Sequence, residues 1–134
     1  MDATMNLTLD QICRAQHRLR GLVHRTPLIH SATLSAHLGA PTYLKLELLQ
    51  KTGSFKPRGA FVRMLEMANA ERQRGVVAVS GGNHAQGVAY AAKQLGIAAT
   101  ICMPANTPRN YLDATRGYGA DIILCPDIHA AFAE

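Results

Sequence analysis

Three short apolar runs, "VVAVS", "AATICM" and "ADIILC", start near residues 76, 98 and 121, a spacing of 22 or 23 residues, and a stretch of helical periodicity fills each gap. That rhythm constrains the fold more than any other feature. A gap of this length is too long for a hairpin and suits one helix with its two connections, so successive strands run parallel as βαβ units. Strands buried on both faces need continuous apolar runs, and these runs are continuous. The fold class read from the pattern is α/β, a parallel sheet of repeated βα units. Gly39, Gly96 and Gly119 each end a helical stretch just before a strand-like run, where a left-handed stop belongs.

Upstream of the repeats, "TLDQICRAQHRLRG" opens with Thr8 and Gln11 at capping-box spacing and closes at Gly21. Leu9, Ile12, Cys13 and Leu19 are expected on its buried face. After the turn-like "RTPL" and a short helix in "SATLSAHLG", the run "TYLKLELL" alternates Leu44, Leu46 and Leu48 with Tyr43, Lys45 and Glu47, predicting a strand with one buried face. From Pro57, a residue suited to a first helical turn, Ala60, Phe61, Met64, Leu65 and Ala68 recur on one side, which predicts a helix reaching Gly75. "NHAQGVAYAAKQLG" reads as the next helix. In "TPRNYLDATRG" Thr107 is the candidate cap and Pro108 the opening residue of another. The final "DIHAAFAE" stops a few residues into a further helix, so the chain is expected to be a portion of a longer protein or a remnant of one.

Charge and cysteine content narrow the function classes. The 14 Lys and Arg against 9 Asp and Glu leave a formal charge of +5. Arg14, Arg18, Arg20 and Arg25 are nevertheless interleaved with apolar residues at helical spacing, and no zinc-finger spacing, RNA-binding aromatic signature or long basic run accompanies them. No nucleic-acid partner is expected. Cys13, Cys102 and Cys125 are far apart and odd in number, giving neither a disulfide framework nor a metal knuckle, so a reducing, cytoplasmic setting fits and no metal is expected. No stretch approaches the ~20 apolar residues of a membrane span. The opening "MDATMNLTLDQ" lacks the apolar core of an export signal, so the reading is a soluble protein without a membrane partner.

Two loops carry the chemistry, each between a strand-like run and a helix, the junction where parallel α/β folds bind ligands. In "SGGNHAQG", residues 80–87, Gly81 and Gly82 expose backbone N–H groups at a helix start, where the dipole also favours an anion such as a carboxylate or phosphate. There is no GxGxxG, and Val88 stands where a phosphate-binding P-loop requires lysine. Asn83 is either part of such a site or simply the cap of the helix. In "TGSFKPRGA" Lys56 places a cation at a helix start, against the dipole. An amine set there, rather than a stabilising surface charge, is a candidate Schiff-base nucleophile. Taken alone, the loop also fits a surface lysine lying along apolar neighbours.

The two loops together, "ELLQKTGSFKPRGAF" followed about 25 residues later by "SGGNHAQGVAYAAKQLG", resemble the N-terminal part of the threonine/serine dehydratases and serine racemases, and the similarity runs from "RTPL" to the end of the chain. Those are pyridoxal-phosphate (PLP) enzymes of the tryptophan-synthase β-like fold. The resemblance implies that Lys56 is the catalytic amine that bonds PLP, that Phe55 packs beside the cofactor ring and that Asn83 hydrogen-bonds its phenolic oxygen. It further implies that Ser80, Gly82, Asn83 and His84 hold the carboxylate of a small amino-acid substrate. The implied reaction is a lyase one, removal of the α-proton and the β-hydroxyl of L-threonine or L-serine to give an aminoacrylate, which water hydrolyses to a 2-oxo acid and ammonia. A dimer is what the family suggests.

Family racemases carry a second serine after the first serine of the substrate loop; Gly81 stands there instead, which favours dehydration over racemisation. Pro57 replaces a bulkier residue and is sterically harmless at a helix start. The resemblance places residues 1–51 in the N-terminal part of the large PLP-binding domain and residues 52–134 in the small substrate-binding domain. The glycine-rich phosphate loop, the partner of the pyridine nitrogen and the metal-ion ligands of the family fall outside the chain, so the fold is expected to be truncated. The alternatives are a serine racemase, a hydroxyaspartate dehydratase and a truncated, non-catalytic βα module.

Overall fold

The structure, a computed structural model, describes residues 7–133. The first six residues of the stretch read for an export signal, and Glu134, lie outside the described residues. From the N-terminus, helix α1 (Leu9–Arg18) is followed by strand β1 (Leu28–His30), helix α2 (Ala32–Leu38) and strand β2 (Tyr43–Lys45). Two 3₁₀ turns, Glu47–Leu49 and Lys51–Gly53, then lead into helices α3 (Lys56–Glu66) and α4 (Asn69–Arg74). Three βα units complete the chain: β3 (Val76–Val79) with α5 (Asn83–Leu95), β4 (Ala99–Pro104) with α6 (Arg109–Gly117), and β5 (Asp121–Cys125) with α7 (Ile128–Ala133).

The repeat rhythm becomes a three-stranded parallel sheet in the order β3-β4-β5, with Val76 opposite Ala99 and Thr100 opposite Asp121. Central β4 serves two cores by alternation. Ala99, Ile101 and Met103 face Val88, Ala89 and Ala92 of α5 together with Phe61 of α3, while Cys102 turns to the other face with Cys125 and Ala131 of α7. Only β4 is closed in along most of its length; on the two edge strands Val77 is 73% exposed and Leu124 50% exposed. Gly39 and Gly96 cap α2 and α5 at φ +68 and +66, and Gly119 follows α6 at φ +85, as their positions before strands predicted.

Four local expectations are corrected. The capping box of α1 forms, with Gln11 N–H on the Thr8 hydroxyl at 3.3 Å and Thr8 N–H on Oε1 of Gln11 at 2.8 Å, but of the apolar face only Leu19 is buried, Leu9 being 73% exposed. "TYLKLELL" is extended only over Tyr43–Lys45, in an antiparallel pair with β1, and then coils into a 3₁₀ turn; both strands expose both faces. The helix from Lys56 breaks at Met67, whose ψ of 140° is extended, because Glu71 reaches back to the N–H of Ala68 at 2.8 Å and starts α4 afresh. Thr107 does not cap α6; Pro108 is its N-cap and no side chain bonds there.

Candidate active site

Lys56 is the first residue of α3, preceded by a tightly specified approach. Thr52 and Gly53 are consecutive left-handed residues, φ 63 and 70, and turn the chain sharply before Ser54. Buried Gln50 clamps the turn: its amide group accepts from the N–H groups of His24 and Lys51 at 2.8 and 2.9 Å and donates to the His24 carbonyl at 2.8 Å. Two residues past the lysine, Arg58 makes a bidentate pair with Glu47, Nε to Oε2 and a terminal nitrogen to Oε1, both at 2.8 Å, and also donates to the His24 carbonyl at 3.0 Å. Thr26 donates its hydroxyl to the same carboxylate. Those Arg58 hydrogen bonds hold the Glu47 carboxyl at about 2, below its usual 4.5, against the opposing effect of its burial.

The second loop begins where β3 ends. Ser80 N–H extends the sheet ladder onto the Cys102 carbonyl at 3.1 Å, and its hydroxyl accepts from Gly82 N–H at 3.1 Å. Gly82 is the N-cap of α5 and no side chain caps the helix, so Asn83, a candidate cap in sequence, is instead its first helical residue, with no side-chain hydrogen bond among the described residues. A Cβ on Gly82 would point into open space, which leaves room for a ligand to reach the first amides of α5. His84 titrates below its ordinary value, first through partial burial and then through the positive charge of Lys56. The imidazolium form would be opposed by that neighbouring charge.

Gly87 joins the two loops. A Cβ there would meet the Lys56 Cβ at 2.9 Å, the Lys56 carbonyl carbon at 3.0 Å and the Pro57 nitrogen at 3.1 Å, so α5 crosses the start of α3 at backbone distance. The structure thus brings Lys56 together with the Ser80–His84 loop. Phe55 is 59% exposed, with its ring centroid 5.2 Å from Lys56 Nζ. The lysine has no ion pair or hydrogen bond among the described residues, and in the turn that precedes it the buried hydroxyls of Thr52 and Ser54 find no hydrogen-bond partner among them either. A half-buried lysine with its amine over an aromatic ring, orphaned hydroxyls in the preceding turn and a helix start with room at its first amides fit an anionic aromatic aldehyde such as PLP.

Sequence reasoning missed Gly87, Gln50 and the Glu47–Arg58 pair. Gly87 left a signal, a glycine inside a helical pattern with no turn to serve. Glu47 and Arg58, eleven positions apart, left none. Among the described residues no group of three or more His, Cys, Asp or Glu is placed to hold a metal ion, and no helix is long and apolar enough to cross a membrane.

The chain is similar to known proteins along most of its length. An L-threonine ammonia-lyase of Thermotoga maritima is 52% identical over 118 residues, covering 88% of this chain and 29% of the relative. An L-threo-3-hydroxyaspartate ammonia-lyase of a Pseudomonas species is 49% identical over 113 residues, 84% of this chain and 35% of the relative. The chain thus spans about a third of the length of these relatives. Among solved structures, serine racemase from Dictyostelium discoideum superposes with a TM-score of 0.86 at 36% identity, over 95% of this chain and 42% of that one. The parallel α/β architecture is the tryptophan-synthase β-like fold of these neighbours, present here in part. A family profile described as "Pyridoxal-phosphate dependent enzyme" matches residues 19–134, which include both loops and the glycine that joins them, and the chain belongs to that family.

Proposed function

We propose that this chain is the N-terminal portion of a PLP-dependent ammonia-lyase that dehydrates L-threonine or L-serine to a 2-oxo acid and ammonia. The observation that carries the reading is the crossing at Gly87, which seats Lys56 against the start of the helix whose loop is open to an anion. Lys56 would bond the cofactor as a Schiff base, Phe55 would lie beside its ring and Asn83 would donate to the ring oxygen. When bound, the cofactor supplies an electron sink for the substrate's α-carbon. Lys56 Nζ, once released, takes the α-proton. Ser80, Gly82, Asn83 and His84 orient the substrate carboxylate, and a His84 kept neutral beside Lys56 can donate one hydrogen bond to it without adding a second cation.

Residues 1–51 are assigned to the large PLP-binding domain and residues 52–134 to the small substrate-binding domain. The separation of the β1–β2 pair from the β3-β4-β5 sheet supports that division. A cytoplasmic setting and a homodimer complete the proposal. A second reading, racemisation or hydroxyaspartate dehydration, draws on the Dictyostelium and Pseudomonas similarities. Gly81 favours elimination, since it offers no hydroxyl to return a proton from the opposite side. Product analysis with L-threonine, L-serine and L-threo-3-hydroxyaspartate in a full-length protein distinguishes them: 2-oxobutanoate from threonine supports the proposal, and D-serine or oxaloacetate as the main product contradicts it.

A further inference from the structure

Thr107 lies in the connection from β4 to α6, at the carboxyl end of the central strand, and belongs to neither motif used so far. It is 8% exposed, and its Oγ1 is buried with no hydrogen-bond partner among the described residues. The residue is anchored at both ends: its N–H donates to the Pro104 carbonyl at 2.9 Å, and Pro108 restricts the backbone on the other side. Oγ1 points at the substrate loop. A Cβ built on Gly81 would lie 2.6 Å from it, with Pro104 Cδ at 3.5 Å behind. Gly81 is not among the residues of positive φ, so left-handed strain is not what bars a side chain there. Thr107 is what excludes one, and as a β-branched residue in a closed space it has few rotamers to retreat into.

We propose that Thr107 is a specificity-determining residue: its hydroxyl occupies the space of a side chain on residue 81, so the loop can carry a serine at 81 only when residue 107 is small. A proton carrier at residue 81 is then opposed by the Thr107 hydroxyl rather than merely absent. The link to reaction choice rests on reading Ser80–His84 as the carboxylate loop; the steric control of position 81 does not.

The test is a cycle of G81S, T107A and G81S/T107A in this chain, followed by thermal unfolding and by the ¹⁵N-amide resonances of Gly82, Asn83 and His84. G81S is expected to lower the unfolding midpoint by about 5 °C or more and to displace those resonances. The double variant is expected to unfold within about 2 °C of T107A, with the loop resonances returned toward their parent positions. Additive losses, or a G81S chain with parental midpoint and unmoved resonances, overturn the proposal. If G81S does not fold, a folded double variant supports it and an unfolded one overturns it. No cofactor enters these measurements, so a coupled cycle in a chain whose Lys56 fails to bond PLP supports the control of position 81 and contradicts only the proposed function.

Discussion

Lys56 is placed by close packing and hydrogen bonds on both sides. Gly87 admits its backbone, and the Gln50 clamp and the Glu47–Arg58 pair fix the chain on either side. Gly87→Ala should raise helix propensity by ~0.5–1 kcal/mol. The new methyl would meet two backbone atoms at 3.0 and 3.1 Å that cannot move aside cheaply, so the clash wins and a net loss of about 1–2 kcal/mol is expected by chemical denaturation. Glu47 gives a pH signature. Its folded value of about 2 lies below its ordinary 4.5, so its stabilisation is complete above pH 4.5 and is lost as pH falls toward 2. In Glu47→Gln the acid-induced loss of stability over that window should shrink. An unchanged acid profile would show that the pair with Arg58 does not form in solution. The lysine was legible in the sequence because its chemistry is unusual for its local position. The groups that hold it were not, because a carboxylate and a guanidinium eleven residues apart meet only through the fold.

At the scale of elements, the packing of α3, α5 and α6 supports the candidate site from below. Phe61 of α3 is fully buried, with its ring edge-on to Tyr90 at 5.9 Å, and Tyr90 meets Tyr118 at the end of α6 at 5.4 Å. Phe61→Ala should cost about 3–5 kcal/mol, a large share of what a domain of this size possesses, and should be visible as a lowered denaturation midpoint. A loss below ~1 kcal/mol would mean that α3 is not packed as described. The parallel βα units were legible because their period is set by geometry that every such unit shares. "TYLKLELL" misled because alternation signals a half-buried strand, whereas here Tyr43–Lys45 pairs with a single short neighbour and covers neither face. The break at Met67 was hidden for a different reason: the apolar spacing carries on through it, and only the return of the Glu71 side chain marks a new start.

For the whole molecule, burial is uneven. β4 and α5 lie in the core, while the β1–β2 pair exposes Leu28, Ile29, Tyr43 and Leu44. A two-stranded ribbon is at best marginally stable by itself. Amide hydrogen exchange should therefore be much faster in Leu28–His30 and Tyr43–Lys45 than in Ala99–Pro104. Equal protection would show that the ribbon has support beyond the described contacts. The parallel strands keep the order that the sequence pattern implied, and it is the close approach of α5 to the start of α3 at Gly87 that brings the Lys56 turn against the Ser80–His84 loop.

The central claim is that Lys56 is the amine that bonds PLP, and reductive trapping tests it most directly. The chain is incubated with PLP, reduced with borohydride and mapped by peptide mass spectrometry, with Lys45, Lys51 and Lys93 as internal controls. The account predicts that the added mass concentrates on the peptide containing Lys56 and disappears in Lys56→Ala, while the other three lysines stay largely unmodified. Label spread evenly over all four lysines, or absent from Lys56, would contradict it.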